Sequence, residues 1–415
     1  MVGIRHDRAG AVRLGSRKTE GRRAATAGMP ALAAVITFAL VLAGCSSQSS
    51  RPSGKQAAAG VPALALTTFA GYSGQLPLPG APRLTVNALT EADGVRLAVG
   101  SADGYPAVWR RSGGGSWTLA TSLSSLPARS RPTTLTSVVH GPSGWLAVGT
   151  PGPIVLTSVN GSTWRSAVGP IAANLAGVSV ISAAAGPRGY VILGKLAVPG
   201  GGCVADVWWS PDMSTWVRAH DVNEVTGSSQ TLAVAAEPDG FVSVGSHQGK
   251  PAVWVTSNGR VWRTIVLPLP AGAPNAQLNQ IAVSGSRIVA TGGPAIAGAA
   301  TRAFAELSTD GGATWRQTPL GLPDPGTTVT ALTASTRGFA AAGQYGGPGR
   351  QKVVVWILSA GNRWAQPHVS GITGSGTGRT HEITALEATE SAVTGIGPVA
   401  PALNRQAVVF TLLTR

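Results

Sequence analysis

From residue 61 onward, short apolar runs alternate with polar, glycine-rich turns, and no stretch sustains a helical period. The most regular runs are apolar triplets closed by glycine. They are Leu97-Ala98-Val99-Gly100, Leu146-Ala147-Val148-Gly149, Val191-Ile192-Leu193-Gly194, Val242-Ser243-Val244-Gly245, Val289-Ala290-Thr291-Gly292, Ala340-Ala341-Ala342-Gly343 and Ala392-Val393-Thr394-Gly395. Runs this short, bounded by turn residues, predict strands. The stretch around the fourth triplet shows a whole unit: Thr231–Ala236, a turn at Pro238-Asp239-Gly240, Phe241–Gly245, Ala252–Val255 and Trp262–Leu267.

Between the third and fourth strands of a unit lies a polar turn that ends in tryptophan. Trp117, Trp164, Trp216, Trp262, Trp315 and Trp364 recur at intervals of 46 to 53 residues. The turn residues suit a side-chain-tied hairpin: Asp or Asn accepts backbone N–H bonds, a hydroxyl does likewise, and glycine supplies positive φ. The indole then buries a large apolar surface beside it. The candidate turn residues are Ser158, Asn160 and Trp164; Ser210, Asp212 and Trp216; Thr256, Asn258 and Trp262; and Ser308, Asp310, Gly312 and Trp315. The first and sixth turns, Ser112–Trp117 and Ser359–Trp364, are shorter and lack the acidic residue. Four strands per repeat at this period predict an all-β, seven-bladed β-propeller over residues 61–415. The last repeat reaches a third strand, Ala407–Leu412, without a fourth, and Ala63–Phe69 is assigned to supply it, closing the ring and covering an open edge.

Composition agrees: 56 Gly and 12 Trp with only 12% charged residues favour short strands and tight turns. Residues 1–28 are basic, and Met29–Gly44 are uncharged and mostly apolar, ending in Leu42-Ala43-Gly44-Cys45 before a Ser-rich stretch. A basic region, a short apolar core and a small-residue cleavage site make a secretory signal. The Leu-Ala-Gly-Cys segment resembles the lipobox of bacterial lipoproteins. That resemblance implies cleavage after Gly44, lipidation of Cys45, a flexible tether over residues 45–60, and a membrane-anchored protein on the extracytoplasmic face. Cys203, beside Pro199-Gly200-Gly201-Gly202, is then a free thiol in a flexible loop. Formal charge is +15, of which residues 1–44 contribute +5, so the mature chain stays basic at +10. A basic surface suits anionic lipid or envelope polymers, although an arginine-rich composition accounts for the same bias. An exported chain without aromatic-basic RNA motifs is not expected to bind nucleic acid.

The tandem turn resembles the Asp-box of sialidase-like propellers (BNR repeats), whose Ser-x-Asp-x-Gly-x-Thr-Trp pattern Ser308–Trp315 matches throughout. The resemblance implies the propeller fold, shared by glycosidases, assembly factors and binding modules alike. A sialidase of this kind carries an Arg-Ile-Pro segment, an arginine triad, a Tyr–Glu couple and an Asp acid/base. No Arg-Ile-Pro occurs here, and Tyr72, Tyr105, Tyr190 and Tyr345 all lie beside Gly or Pro. Glu237, Glu382 and Glu387 fall on or near inner strands, where they are expected to be solvated channel-lining groups. The histidines are scattered, so no metal site, cofactor or catalytic set is expected. The leading expectation is a monomeric, non-catalytic binding or assembly scaffold for a protein or glycan. A degenerate sialidase-type glycoside hydrolase is the alternative. A third reading rests on similarity to the lumenal propellers that assist photosystem assembly.

In a propeller the Asp-box turns lie on one face, and the second-to-third-strand loops lie on the other with the blade connections. Lys250 and Arg302 stand six residues before their turn Thr or Ser, and Lys352 stands seven before Ser359 with Arg350 beside it. Arg405 enters the last third strand, and Arg379 joins from a blade connection. These cations are the candidate rim for an anionic partner; the competing reading is the ordinary scatter of Arg and Lys over a basic surface.

Overall fold

The computed structural model describes residues 64–68 and most of 84–413, leaving out 103, 114–116, 121–132, 168–170, 172–174, 176, 198–202, 220–228, 296–301, 322–326, 346–351, 359–360, 368–378, 381, 391 and 401–406. All its strands pair antiparallel within separate small sheets, an all-β propeller.

Six sheets are four-stranded blades in simple meander order, one fewer than the seven expected. Blade one runs Leu84–Ala92, Val95–Ala102, Tyr105–Ser112, Thr118–Leu119. Blade two runs Thr134–Gly141, Gly144–Thr150, Ile154–Ser158, Arg165–Ser166. Blade three is Val178–Gly186, Gly189–Ala197, Cys203–Ser210, Val217–Arg218, and blade four Ser229–Glu237, Gly240–His247, Lys250–Thr256, Arg263–Val266. Blade five is Gln277–Ser284, Arg287–Gly293, Phe304–Ser308, Arg316–Thr318, and blade six Thr328–Ser335, Gly338–Tyr345, Lys352–Leu358, Trp364–Ala365.

The last repeat does not make another blade of this kind. Its strands Ala392–Ala400 and Ala407–Leu413 form a five-stranded sheet with Leu64–Thr68 and two short inner pieces, Arg379–Thr380 and Ala385–Ala388. The inner strand is broken in two, and the outer one comes from far upstream, Leu64 pairing with Leu412 and Thr68 with Val408. The inner strands pack in chain order, and Ala385–Ala388 packs against those of both blade six and blade one. Thr384 Oγ1 donates to the Val86 carbonyl at 2.6 Å across that junction.

Every inner strand of the six blades carries a bulge near its start, at Asn87, Thr136, Ile181, Leu232, Asn279 and Thr330. Opposite each bulge stands the closing glycine of the apolar triplet: Gly100, Gly149, Gly194, Gly245, Gly292 or Gly343. The extra residue turns a carbonyl toward the second strand. A Cβ on Gly245 would collide with the Gln230 carbonyl oxygen, and the same collision recurs at Gly100, Gly149, Gly292 and Gly343. At Gly194 the obstacle is the Val178 side chain. The rest of each triplet is buried, and the cores lie between neighbouring blades, as where Trp254 of blade four shares one apolar cluster with Val207 and Ala219 of blade three.

The bulge makes a specific stability prediction. Gly245→Ala has only backbone to push against, so it destabilises by about 1–3 kcal/mol, measured by urea unfolding. A change within about 0.5 kcal/mol, the usual range for a neutral surface substitution, contradicts the close approach.

Candidate functional site

The two faces differ in construction. The hairpins between first and second strands share one face with the turns before each tryptophan, here called the turn face. The opposite loop face holds the starts of the inner and third strands.

On the turn face the candidate turn residues are tied internally. In blade five Ser308 Oγ donates to Asp310 Oδ1 at 2.8 Å and accepts from Gly312 N–H at 2.9 Å. Thr314 donates to Asp310 through its N–H at 2.9 Å and its hydroxyl at 2.5 Å, and Trp315 Nε1 donates to the Gly312 carbonyl at 3.1 Å. Those bonds, the Thr314 hydroxyl first, pull the Asp310 pKa down to about 2, a charged turn acceptor. Ser158 with Asn160, Ser210 with Asp212, and Thr256 with Asn258 repeat the arrangement, and Trp164, Trp216 and Trp262 each donate to the turn carbonyl. The backbone N–H of Ser214 is the chief cause of a lowered Asp212 pKa. Met213, with φ of 67°, holds the position that is Gly161, Gly259 or Gly312 in the other turns.

The first and sixth turns are different. Pairing places Arg111 opposite Arg96 and Leu358 opposite Phe339, where the other blades place Ser or Thr. These two turns lack the hydroxyl, and their register begins one residue before Ser112 and Ser359.

That register re-aligns the loop face. Ala252, Phe304 and Val354 pair with the marker glycines Gly245, Gly292 and Gly343. Two residues before each stand Lys250, Arg302 and Lys352, all exposed, so three consecutive blades present a cation at one equivalent position. Lys250 pairs with His247, whose Nδ1 is 2.7 Å from Ser229 Oγ, and Lys352 pairs with Tyr345. In the closing sheet Gly395 pairs with Phe410, so Val408 holds the equivalent position. Arg405 and Arg350 lie outside the described residues, as does Cys45. Arg379 pairs with Ala400 at the edge of the closing sheet, and its side chain is not described. Lys195, half-buried at the loop-face end of blade three, was not anticipated; burial lowers its pKa. Cys203 is exposed, but it opens a strand opposite Ala197 rather than lying in a loop.

The carboxylates of the inner ring are not all solvated. Glu387 is 6% exposed and faces Arg96 of blade one at 3.1 Å, while Arg96 also pairs with Glu91 at 2.6 Å. Desolvation dominates, and the Glu387 pKa rises to about 7 despite Arg96. Glu237 is half-buried and also raised, by desolvation and then Asp239. Glu306 was missed, although its position is informative once strands are paired. It occupies the third-strand site where blades one, three, four and six bury Trp109, Trp208, Trp254 and Trp356, and blade two buries Leu156. Desolvation lifts its pKa to about 7, and Oε1 has no hydrogen-bond partner. Tyr190 is fully buried; its hydroxyl accepts from Ser143 N–H at 2.8 Å and donates to the Gly144 carbonyl at 2.9 Å. Among the described residues no group of His, Cys, Asp and Glu is placed to hold a metal ion, and no helix is long and apolar enough to cross a membrane.

Comparison with known proteins supports the fold. No family model and no curated protein sequence matches the chain. Among solved structures, YCF48 bound to D1 peptide superposes with a TM-score of 0.52 at 15% identity, over 86% of this chain and 98% of that one. Trypanosoma rangeli sialidase in complex with sialic acid gives 0.46 at 12% identity over 85% of this chain, which spans 59% of the sialidase. A prolyl endopeptidase gives 0.49 at 11% identity over 81% of this chain and 50% of its own. Together with the sheet order, the YCF48 likeness defines the chain as an all-β propeller.

Glu306 sets a pH dependence. Its folded pKa, near 7, lies above the unfolded value near 4.5. The folded state therefore holds the extra proton, and stability rises as pH falls from about 7 toward 4.5. Glu387 acts in the same direction. The melting temperature is thus expected to be several degrees higher at pH 5 than at pH 8. Glu306→Leu, the blade-two solution, raises it at pH 8 and flattens the profile. A lower melting temperature for that variant at pH 8 contradicts the assignment.

Proposed function

We propose that this chain is a non-catalytic binding or assembly scaffold, held at the outer face of a bacterial membrane, that engages a protein or glycan partner through its loop face. In this reading residues 1–44 are a signal, Cys45 carries the lipid, 45–60 form a tether and 61–415 form the propeller. The five-stranded sheet then counts as a seventh, closing blade, with Leu64–Thr68 as its outer strand. The turns ending in Trp164, Trp216, Trp262 and Trp315 act as Asp-box fasteners, on the face away from the partner.

The observation that carries the proposal is the shared register of Lys250, Arg302 and Lys352 on three consecutive blades. Scattered surface cations have no reason to fall at one offset from the partners of the marker glycines. An array of like charge at the rim of a rigid ring attracts and orients an anionic partner. Arg350, Arg379 and Arg405 extend the rim in this reading. YCF48, which shares the fold, was solved with a peptide bound, a precedent for a propeller of this size serving as a peptide-binding module.

Two measurements test this. Cross-linking followed by pull-down from native membranes is expected to recover a partner with the wild-type chain. Recovery should fall at least about tenfold, the equivalent of 1.4 kcal/mol, when Lys250, Arg302 and Lys352 are all replaced by Ala; equal recovery overturns the rim. Separately, Cys45→Ala is expected to abolish metabolic labelling with palmitate and release the chain from the membrane fraction. Persistent labelling overturns the anchor.

A further inference from the structure

The six bulge positions are half-buried inner-strand residues at equivalent places near the loop-face end of the ring, and three of them are occupied by internal work. Asn87 Nδ2 donates to Thr134 Oγ1 at 2.7 Å and to the Leu135 carbonyl at 2.6 Å. Thr136 and Thr330 donate to the second-strand carbonyls of Val148 and Ala342, both at 3.3 Å, and Thr330 also reaches the Ile383 carbonyl at 2.5 Å. The remaining three, on consecutive blades, are Ile181, Leu232 and Asn279. Ile181 and Leu232 belong to none of the apolar clusters that fill the spaces between blades. Asn279 Oδ1 is buried without a hydrogen-bond partner. The hydroxyl of Thr231, next to Leu232, is likewise buried and unpartnered in a residue only 1% exposed. Ile181 and Leu232, half-buried on neighbouring blades and outside the inter-blade clusters, leave apolar surface at the loop-face end of the inner strands.

Resting on the loop-face reading above, we infer that blades three to five hold a peptide site whose ligand combines an apolar side chain with flanking carboxylates. The apolar side chain covers Ile181 and Leu232. The carboxylates face Lys250 and Arg302, on the rim of the same two blades that carry Leu232 and Asn279. Charge complementarity selects an anionic ligand, and the apolar pair selects a side chain that a polyanionic glycan or a phosphate does not have. A peptide carries both kinds of side chain on one backbone.

Fluorescence anisotropy with the full, detergent-solubilised chain tests this. The probe is a labelled peptide of aspartates around a central leucine; the controls are the same peptide with central serine and, as competitor, polygalacturonate. The leucine peptide is expected to bind at least about tenfold tighter than the serine peptide, since burying one leucine is worth about that much. Leu232→Asn, which places at this bulge the residue that blades one and five already accept, should erase that preference while leaving the unfolding midpoint near wild type. Equal affinity for the two peptides, with binding still lost on replacing Lys250, Arg302 and Lys352 by Ala, overturns the peptide site and leaves the cationic rim standing. Binding of neither peptide, or displacement of the leucine peptide by polygalacturonate at lower concentration than by unlabelled peptide, also overturns it. Partner recovery from membranes then judges the broader scaffold reading independently.

Discussion

The close approach between the bulged inner strand and the glycine of the second strand is the constraint from which the rest of the structure follows. Each bulge directs a carbonyl into space that only a missing side chain leaves open, at Gly100, Gly149, Gly245, Gly292 and Gly343. One fixed point per blade then sets the register of everything outward of it. The buried tryptophans of the third strand, the hydroxyl that opens four of the turns and the cations at the loop-face rim all sit at constant offsets from that glycine. A slip by one residue would invert every side chain of the strand, so the bulge is a positional reference as much as a local bend.

The turn face spends its side chains on holding blades together. Tyr190 of blade three ties the hairpin of blade two through its hydroxyl. Arg260 of blade four lies over the Trp209 ring of blade three at 4.7 Å, and Arg287 of blade five reaches both the Phe339 ring and Asn362 of blade six. Arg96 and Glu387 join blade one to the closing sheet. The loop face carries the exposed cations Lys250, Arg302 and Lys352. The difference between the faces lies in what their side chains reach: neighbouring blades on one, solvent at the cationic rim on the other.

Much of this architecture was legible in the sequence because it depends on local patterns. The apolar triplets, the tryptophan period and the pairing of Leu64–Thr68 with the last repeat all came from spacing and from the need to cover an open edge. Features set by cross-strand register were not legible. Counting back from Ser359 put Lys352 out of step with Lys250 and Arg302; pairing shows that Leu358 holds the turn position, and the three align. The same pairing puts Val408, not Arg405, at the equivalent place in the last repeat. Glu387 looked like a solvated channel group because its alternation along the strand cannot reveal a neighbouring blade that buries it against Arg96. Glu306 escaped notice because its significance lies in the tryptophans it replaces. The expected seventh blade became a composite sheet because its inner strand breaks between Thr380 and Ala385.

The composite sheet has a kinetic consequence. Leu64–Thr68 and Ala407–Leu413 are neighbours in space but roughly 340 residues apart in the chain. Closing so long a loop carries a large entropic cost before any contact rewards it, and topologies rich in such contacts fold slowly. Each of the six blades is a local meander that can assemble as it emerges, whereas the ring stays open, with two unpaired edges, until the last strand arrives. The vulnerable interval in the life of this protein is therefore the one before closure, when a partially built ring exposes strand edges to any other unfinished chain nearby.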